Sequence, residues 1–281
     1  MNSFQKILTK DQLIEQCPLI LGRPSNEVSD KYVHIPTTRV IDDIMEHGWR
    51  PVRAEGRRPL DPEAPSKFSK HSVTFIRPEL EFGVQKSYDA VIPTITLINS
   101  HDGLNSFKFF GGLFRMVCSN GLIVPAMING QKAGASLKIR HIHYSLDALS
   151  ETLNDTLRSL QESVKVVFDL SDRQMTQAER REFAKRGILR RLRVKPSEVQ
   201  NMLQSIPDET ADTLLLSNRR EDEGDNAWLT LNRVQENLIK GTSTYYDPNK
   251  KQIETLKPLS SFERKLELNV GLFEDVNRFA N

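Results

Sequence analysis

The sequence has few cysteines and no long hydrophobic segment. Its 281 residues include only Cys17 and Cys118, which are too few for a disulfide framework or a four-thiolate zinc site. No apolar run approaches the ~18 consecutive residues of a membrane span. The first residues also lack the apolar stretch of a signal peptide. These absences predict a cytoplasmic protein with reduced thiols (in the host cell cytoplasm if a phage encodes it) and without a membrane partner.

Motifs for phosphate, metal or covalent chemistry are scarce as well. No Gly-Lys-Ser/Thr phosphate loop is present. His141 and His143 share a face of a predicted strand, but no Cys, Asp or Glu lies at ligand spacing beside them. We therefore predict no metal, no cofactor and no catalytic residue. Cys118, with His101 and Asn120, has the residue types of a thiol hydrolase and stays an alternative, although its apolar surroundings indicate burial.

Hydrophobic periodicity changes twice along the chain. Residues 50–70 are rich in proline and basic residues, which predicts a loop. From Ser72 to Tyr144 the alternation has a period of two, with Gly and Asn turns, which predicts a mainly antiparallel sheet. From Leu146 onwards, apolar residues recur at spacings of three and four, which predicts helices. Helices are predicted over 9–17, 37–46, 146–167, 173–186, 196–205, 226–240 and 260–279.

This order of elements predicts an α+β fold, with a central mainly antiparallel sheet, an N-terminal helical segment and a helical C-terminal half. We assign residues 1–145 to N-terminal helices and the sheet region, and residues 146–281 to a helical region. The two regions are expected to pack together as one compact unit.

The near-neutral net charge conceals a strong charge separation. The total is +2, from 39 basic and 37 acidic residues. Residues 173–195 alone carry nine basic and two acidic side chains, and residues 208–225 carry two basic and seven acidic ones. Arginine dominates the basic segment and binds phosphate through a planar fork of donors. We predict nucleic-acid contacts by Arg173, Arg180, Arg181, Lys185, Arg186, Arg190, Arg191, Arg193 and Lys195.

An aromatic and basic strand supplies a second candidate surface. Phe107 and Phe109 lie on one face of a predicted strand and Lys108 on the other. Exposed rings stack on bases, while nearby cations hold the backbone of single-stranded nucleic acid. We therefore predict that Phe107, Lys108 and Phe109 contribute to binding, on the condition that one strand face is exposed.

Two other interpretations of the basic segment remain open. It could dock on the acidic segment 208–225 of another subunit, which would make the protein an oligomeric scaffold. It could also begin a helix-turn-helix with residues 196–205 as the recognition helix. That helix offers few base-reading donors apart from Gln200, Asn201 and Gln204.

Three motifs carry a resemblance to a known family. They are Ser100-His101-Asp102-Gly103, the segment from Arg115 to Leu122 (RMVCSNGL), and Ala227-Trp228 followed by Asn232-Arg233-Val234-Gln235-Glu236-Asn237. Over about residues 70–245 the sequence resembles the phage- and plasmid-like protein family (domain of unknown function nine-three-two). The segment from Leu238 to Gly241 departs from the family's more common ending. The resemblance implies a mobile-element setting and assigns no catalytic residue.

The size and charge separation are also similar to those of the single-stranded-DNA-binding proteins of lytic short-tailed phages. This looser likeness implies a role in DNA replication, recombination and transcription. Together, these observations predict a sequence-independent single-stranded-DNA-binding protein that acts as a homo-oligomer. Phage replication or transcription proteins are further expected partners.

Overall fold

The computed structural model describes residues 6–24, 28, 32–56, 70–80, 82–85, 89–102, 107–115, 124–125, 137–139, 145–241 and 243–280. The helices are α1 (Lys10–Gln16), α2 (Thr37–Glu46), α3 (Leu146–Asp172), α4 (Gln177–Leu192), α5 (Pro196–Leu203), α6 (Asp208–Leu214), α7 (Ala227–Lys240) and α8 (Phe262–Ala280). The strands are β1 (Arg50–Gly56), β2 (His71–Ile76), β3 (Phe82–Gln85), β4 (Asp89–Asn99), β5 (Phe107–Arg115), β6 (Val124–Pro125), β7 (Leu137–Ile139), β8 (Thr244–Asp247) and β9 (Gln252–Thr255). The α+β class with a helical C-terminal half is confirmed.

The chain divides into two compact units. The sheet unit comprises Met1–Phe82, Ala90–Ser119 and Ala126–Glu162. The helical unit comprises Gly83–Asp89, Asn120–Pro125 and Ser163–Asn281. The last passage from one unit to the other falls inside α3. The sequence-based division at residue 145 stays a prediction.

An antiparallel sheet in the order β1-β2-β4-β5 forms the core of the sheet unit. Buried side chains from neighbouring strands stand opposite each other, as in the pair Phe75 and Ile95. Proline is typical of an edge strand or a bulge, yet β4, which contains Pro93, is an interior strand. The register explains how Pro93 fits into an interior strand, because the pairing of β2 with β4 ends at Ile76 and Thr94. Pro93 therefore lies one residue beyond the last β2 partner, where its missing amide removes no hydrogen bond of the β2–β4 ladder, and its carbonyl accepts a hydrogen bond from the Arg77 amide at 3.2 Å.

The predicted loop over residues 50–70 is wrong in its first part. Residues Arg50–Gly56 form β1, which pairs with β2 and shifts register between Pro51 and Arg53. Val52 and Ala54 are buried, while the ion-paired Arg53 and Glu55 are not. The bulge accommodates Pro51. The strand was not predicted because its proline and charged residues made the alternation of buried and exposed positions difficult to recognise. Residues 57–69 lie outside the described part of the chain.

Helix α7 lies at the centre of the helical unit, with every residue from Ala227 to Ile239 buried. Helix α4 approaches it closely at Gly187, where an added Cβ would lie 2.9 Å from Leu238 Cδ1 and 3.0 Å from Val234 Cγ1. Gly241 follows the predicted helix 226–240 and ends α7 in the left-handed conformation, with φ of 69°. Helix α4 therefore lies directly against α7 in the core of the helical unit.

Candidate nucleic-acid interface

Helix α4 carries most of the predicted basic residues and starts at a capping box. Thr176 Oγ1 accepts a hydrogen bond from the amide of Glu179, and the Glu179 carboxylate accepts one from the amide of Thr176 at 2.7 Å. The bond from Thr176 holds the pKa of Glu179 below its usual value. This motif places the start of α4 at Gln177, four residues after the predicted start at residue 173.

Most of the basic segment is ion-paired within the chain. Arg181 forms a bidentate contact with Asp212 at 2.7 and 2.8 Å and also contacts Asp208 at 3.1 Å. Lys185 Nζ lies 2.7 Å from the Asp208 carboxylate. Seven of the nine predicted residues pair with carboxylates: Arg173 with Glu179, Arg180 with Asp225, Arg181 with Asp208 and Asp212, Lys185 with Asp208, Arg186 with Glu182, Arg190 with Glu274 and Asp275, and Arg193 with Glu267. The basic and acidic segments thus meet within one chain.

Two of the predicted residues connect α4 to the rest of the helical unit. Arg190 pairs at 2.8 Å with Asp275, whose side chain is 4% exposed, and this contact raises the pKa of Arg190. Arg191 donates hydrogen bonds to the carbonyls of Leu238 and Lys257, and burial lowers its pKa. Both arginines therefore have structural partners.

A polar groove of about 570 Å³ lies where α4, α5 and the start of α6 meet. It contains the cations Arg181 and Lys185, the acids Glu182 and Asp208, and three glutamine side chains. Hydrogen bonding to Lys185 holds the pKa of Asp208 below its usual value, so this carboxylate is charged at neutral pH. The lining residues are Gln177, Ala178, Arg181, Glu182, Lys185, Gln200, Leu203, Gln204 and Asp208.

The last two basic residues of the segment lie at the surface between α4 and α5. Arg193 ends α4 in the left-handed conformation, with φ of 59°. Its side chain is 56% exposed and lies 2.5 Å from the Glu267 carboxylate. Lys195 is exposed and precedes Pro196, the first residue of α5. These cations extend the basic surface beyond the groove.

The predicted stacking rings are buried in the sheet unit. Phe107 is fully buried and Phe109 is 4% exposed. The two rings contact each other edge to face, with centroids 4.9 Å apart. Lys108, on the opposite strand face, is half-buried. Neither ring can contact a ligand, because both pack in the core of the sheet unit.

His101, which belongs to the alternative thiol-hydrolase set, lies in a cluster of three histidines in the sheet unit that the sequence did not predict. His71 and His101 are buried and His34 is half-buried. The His101 ring lies 5.0 Å from that of His34 and 5.1 Å from that of His71, centroid to centroid. Thr37 Oγ1 lies 2.8 Å from Nε2 of His71 and accepts a hydrogen bond from Asn99. The spacing of these residues along the chain gave no signal, because the sheet register and the start of α2 bring them together.

The described residues contain no group of three or more His, Cys, Asp or Glu side chains arranged to hold a metal ion. The earlier candidates Cys118, Asn120, His141 and His143 lie outside the described residues. None of the described helices is long and apolar enough to cross a membrane.

A family model described as "Domain of unknown function (DUF932)" matches residues 25–260. The chain belongs to the DUF932 family. The resemblance identified from its motifs is confirmed, and the match includes α4, the groove and the histidine cluster. Two Escherichia coli (strain K12) proteins are similar to this DUF932 chain. UPF0380 protein YafZ is 28% identical over 244 residues, and UPF0380 protein YfjQ is 28% identical over 254 residues. Each alignment covers 83% of this chain and 78% of the relative. No solved structure matches.

Proposed function

We propose that this DUF932 protein binds single-stranded DNA without sequence preference, through the groove between α4 and α5. It acts in the cytoplasm, in DNA replication, recombination or transcription of a phage or mobile element. The observation that carries the proposal is the pairing of two groove cations, Arg181 and Lys185, with a half-exposed carboxylate. The side chain of Asp208 is 50% exposed.

A DNA phosphate can replace that carboxylate. Exposed ion pairs contribute little to stability because water and salt screen them. A DNA phosphodiester carries one negative charge on two non-bridging oxygens, as the carboxylate does, and arginine binds either group through two parallel hydrogen bonds. Binding also releases the counterions condensed on the DNA, which adds to the affinity. Exchange of Asp208 for phosphate therefore costs little and supplies a driving force.

The glutamines of the groove fit binding that does not depend on sequence. Gln177, Gln200 and Gln204 each present both a donor and acceptors, so they can contact sugars and any base edge. One groove contacts few nucleotides, and a homo-oligomer that binds one strand at several grooves gains affinity by multivalency. Phage replication or transcription proteins are the further partners that this role implies.

Fluorescence anisotropy with oligo-dT tests the proposal. Binding is expected at about 50 mM salt and should weaken steeply towards about 200 mM, with a log–log slope of about −0.7 per phosphate contacted. The double variant Arg181→Gln/Lys185→Gln should bind more weakly and with a shallower slope.

The matched control removes two ion-paired cations from helices of the sheet unit. Arg39→Gln/Arg158→Gln has the same loss of charge, and both side chains are exposed, at 65% and 81%. Its salt slope should equal that of the wild type. Absence of binding at low salt, or equal losses in the two double variants, would contradict the proposal.

A further inference from the structure

The hairpin of β8 and β9 presents an apolar outer face. Tyr246 and Ile253 stand opposite each other in the antiparallel register. Tyr245 and Asp247, on the other face of β8, are buried. Among the described large apolar side chains Ile253 is the most exposed, at 72%, and Tyr246 is half-buried.

The base of this hairpin is fixed to its surroundings. A two-stranded ribbon is only marginally stable alone, so its anchors determine whether the outer face is held in place. Thr213 donates a hydrogen bond to the Thr244 carbonyl at 3.2 Å, and Arg191 of α4 donates one to the Lys257 carbonyl at 2.7 Å. At the turn, the Asp247 carboxylate accepts the amides of Asn249 and Lys250. The outer face is therefore presented by an ordered ribbon.

Three exposed lysines lie on the hairpin or just after it: Lys250 and Lys251 at the turn, and Lys257 beyond β9. The acids of the same segment are Glu254 and the buried Asp247. Lys250 pairs with Glu254 at 3.0 Å, while Lys251 lies at the turn with φ of 54°. The half-buried Tyr246 ring and the exposed Ile253 form an apolar platform on a hairpin whose turn carries Lys250 and Lys251.

We propose that Tyr246, supported by Ile253, is a base-stacking platform for single-stranded DNA. This inference rests on the proposed function and adds the base contact that the buried Phe107 and Phe109 do not supply. Stacking is tolerant of sequence because every base has a π-face. The lysines hold the phosphates that flank the stacked base. The hydrogen bond from Arg191 connects the platform to the C-terminal end of the arginine-rich α4.

Two DNA probes separate stacking from phosphate binding: oligo-dT, and an abasic strand of equal length with the same phosphates but no bases. Tyr246→Ala should weaken oligo-dT binding roughly 5- to 150-fold, the range for loss of one stacked base. Its affinity for the abasic strand should equal that of the wild type. Phe168→Ala, which truncates a ring that is 38% exposed on α3, is the matched control and should change neither affinity.

Tyr246→Trp supplies a spectroscopic measurement on the folded protein. Trp49 and Trp228 are both fully buried, so quenching by oligo-dT but not by the abasic strand would report stacking at position 246.

Unchanged oligo-dT binding by Tyr246→Ala overturns the inference and leaves the proposed function standing. Equal losses on the two probes also overturn it, as does dissociation of an oligomer without loss of DNA binding, which would assign the face to a second copy of the chain. If the wild type binds neither probe, both proposals are wrong.

Discussion

Asp208 contacts both cations of the groove, and this determines what its removal should do. Asp208→Asn releases Lys185 from its nearest carboxylate and leaves Arg181 with Asp212. If DNA phosphates take the place of this carboxylate, the variant should bind oligo-dT more tightly than the wild type, by several-fold at low salt. Anisotropy titration measures the change. The control Glu151→Gln removes an exposed acid of α3 and should have no such effect. Weaker binding by Asp208→Asn would show that Asp208 holds the groove together.

His34 should make the free energy of unfolding depend on pH. Burial lowers the pKa of His34, so the unfolded chain takes up a proton at a higher pH than the folded one. Stability is then fully present above the unfolded pKa of about 6.5 and is lost as the pH falls towards the lowered folded value. Urea unfolding from about pH 7.5 to about pH 5.5 should show a smaller loss for His34→Gln than for the wild type. Equal losses would show that His34 does not contribute to acid sensitivity.

Among the elements, α4 depends on one close contact. A side chain at position 187 would meet Leu238, Val234 and Leu272, so Gly187→Val should destabilise the helical unit by about 1–3 kcal/mol through overpacking. Gly187→Ala should cost less, because the gain in helix propensity of about 1 kcal/mol offsets part of the clash. Chemical denaturation measures both. Equal stability of the valine variant and the wild type would disprove a tight contact.

The elements also show what the sequence could predict. Helix α2 matches its predicted bounds and α7 starts one residue later than predicted, because an apolar stripe and a glycine end mark each of them. Helix α6 was not predicted, because its acidic residues were interpreted only as part of the charge separation. The β8–β9 hairpin was not predicted either, because only the strand register shows that Tyr246 and Ile253 lie opposite each other.

The sequence predicted which residues the candidate site contains, but not how they are arranged. Sequence identified the arginine-rich segment, but the partner of each cation depends on helix packing. Arg181 and Asp212 are thirty-one residues apart, and the groove requires three separate helices to meet. The rings of Phe107 and Phe109 could not be assigned to core or surface, because alternation shows that two faces exist without showing which face is covered.

Across the whole molecule, charge serves two purposes that mutation should separate. Arg190→Gln leaves the buried carboxylate of Asp275 without its main partner, so it should lower the free energy of unfolding by about 1–3 kcal/mol. This loss should depend little on salt, because buried pairs are weakly screened. Arg181→Gln should instead weaken DNA binding and leave the urea midpoint close to that of the wild type. A shift of equal size in both variants would show one common, structural role.

The division into units has a consequence for inheritance. The chain passes between the sheet unit and the helical unit five times, the last time within α3. No single cut releases either unit with all of its segments, and a truncation at Leu146 takes Leu149, Leu153 and Leu160, buried residues of the sheet unit, away from it. A single crossover between two genes therefore cannot exchange one complete unit and keep the other.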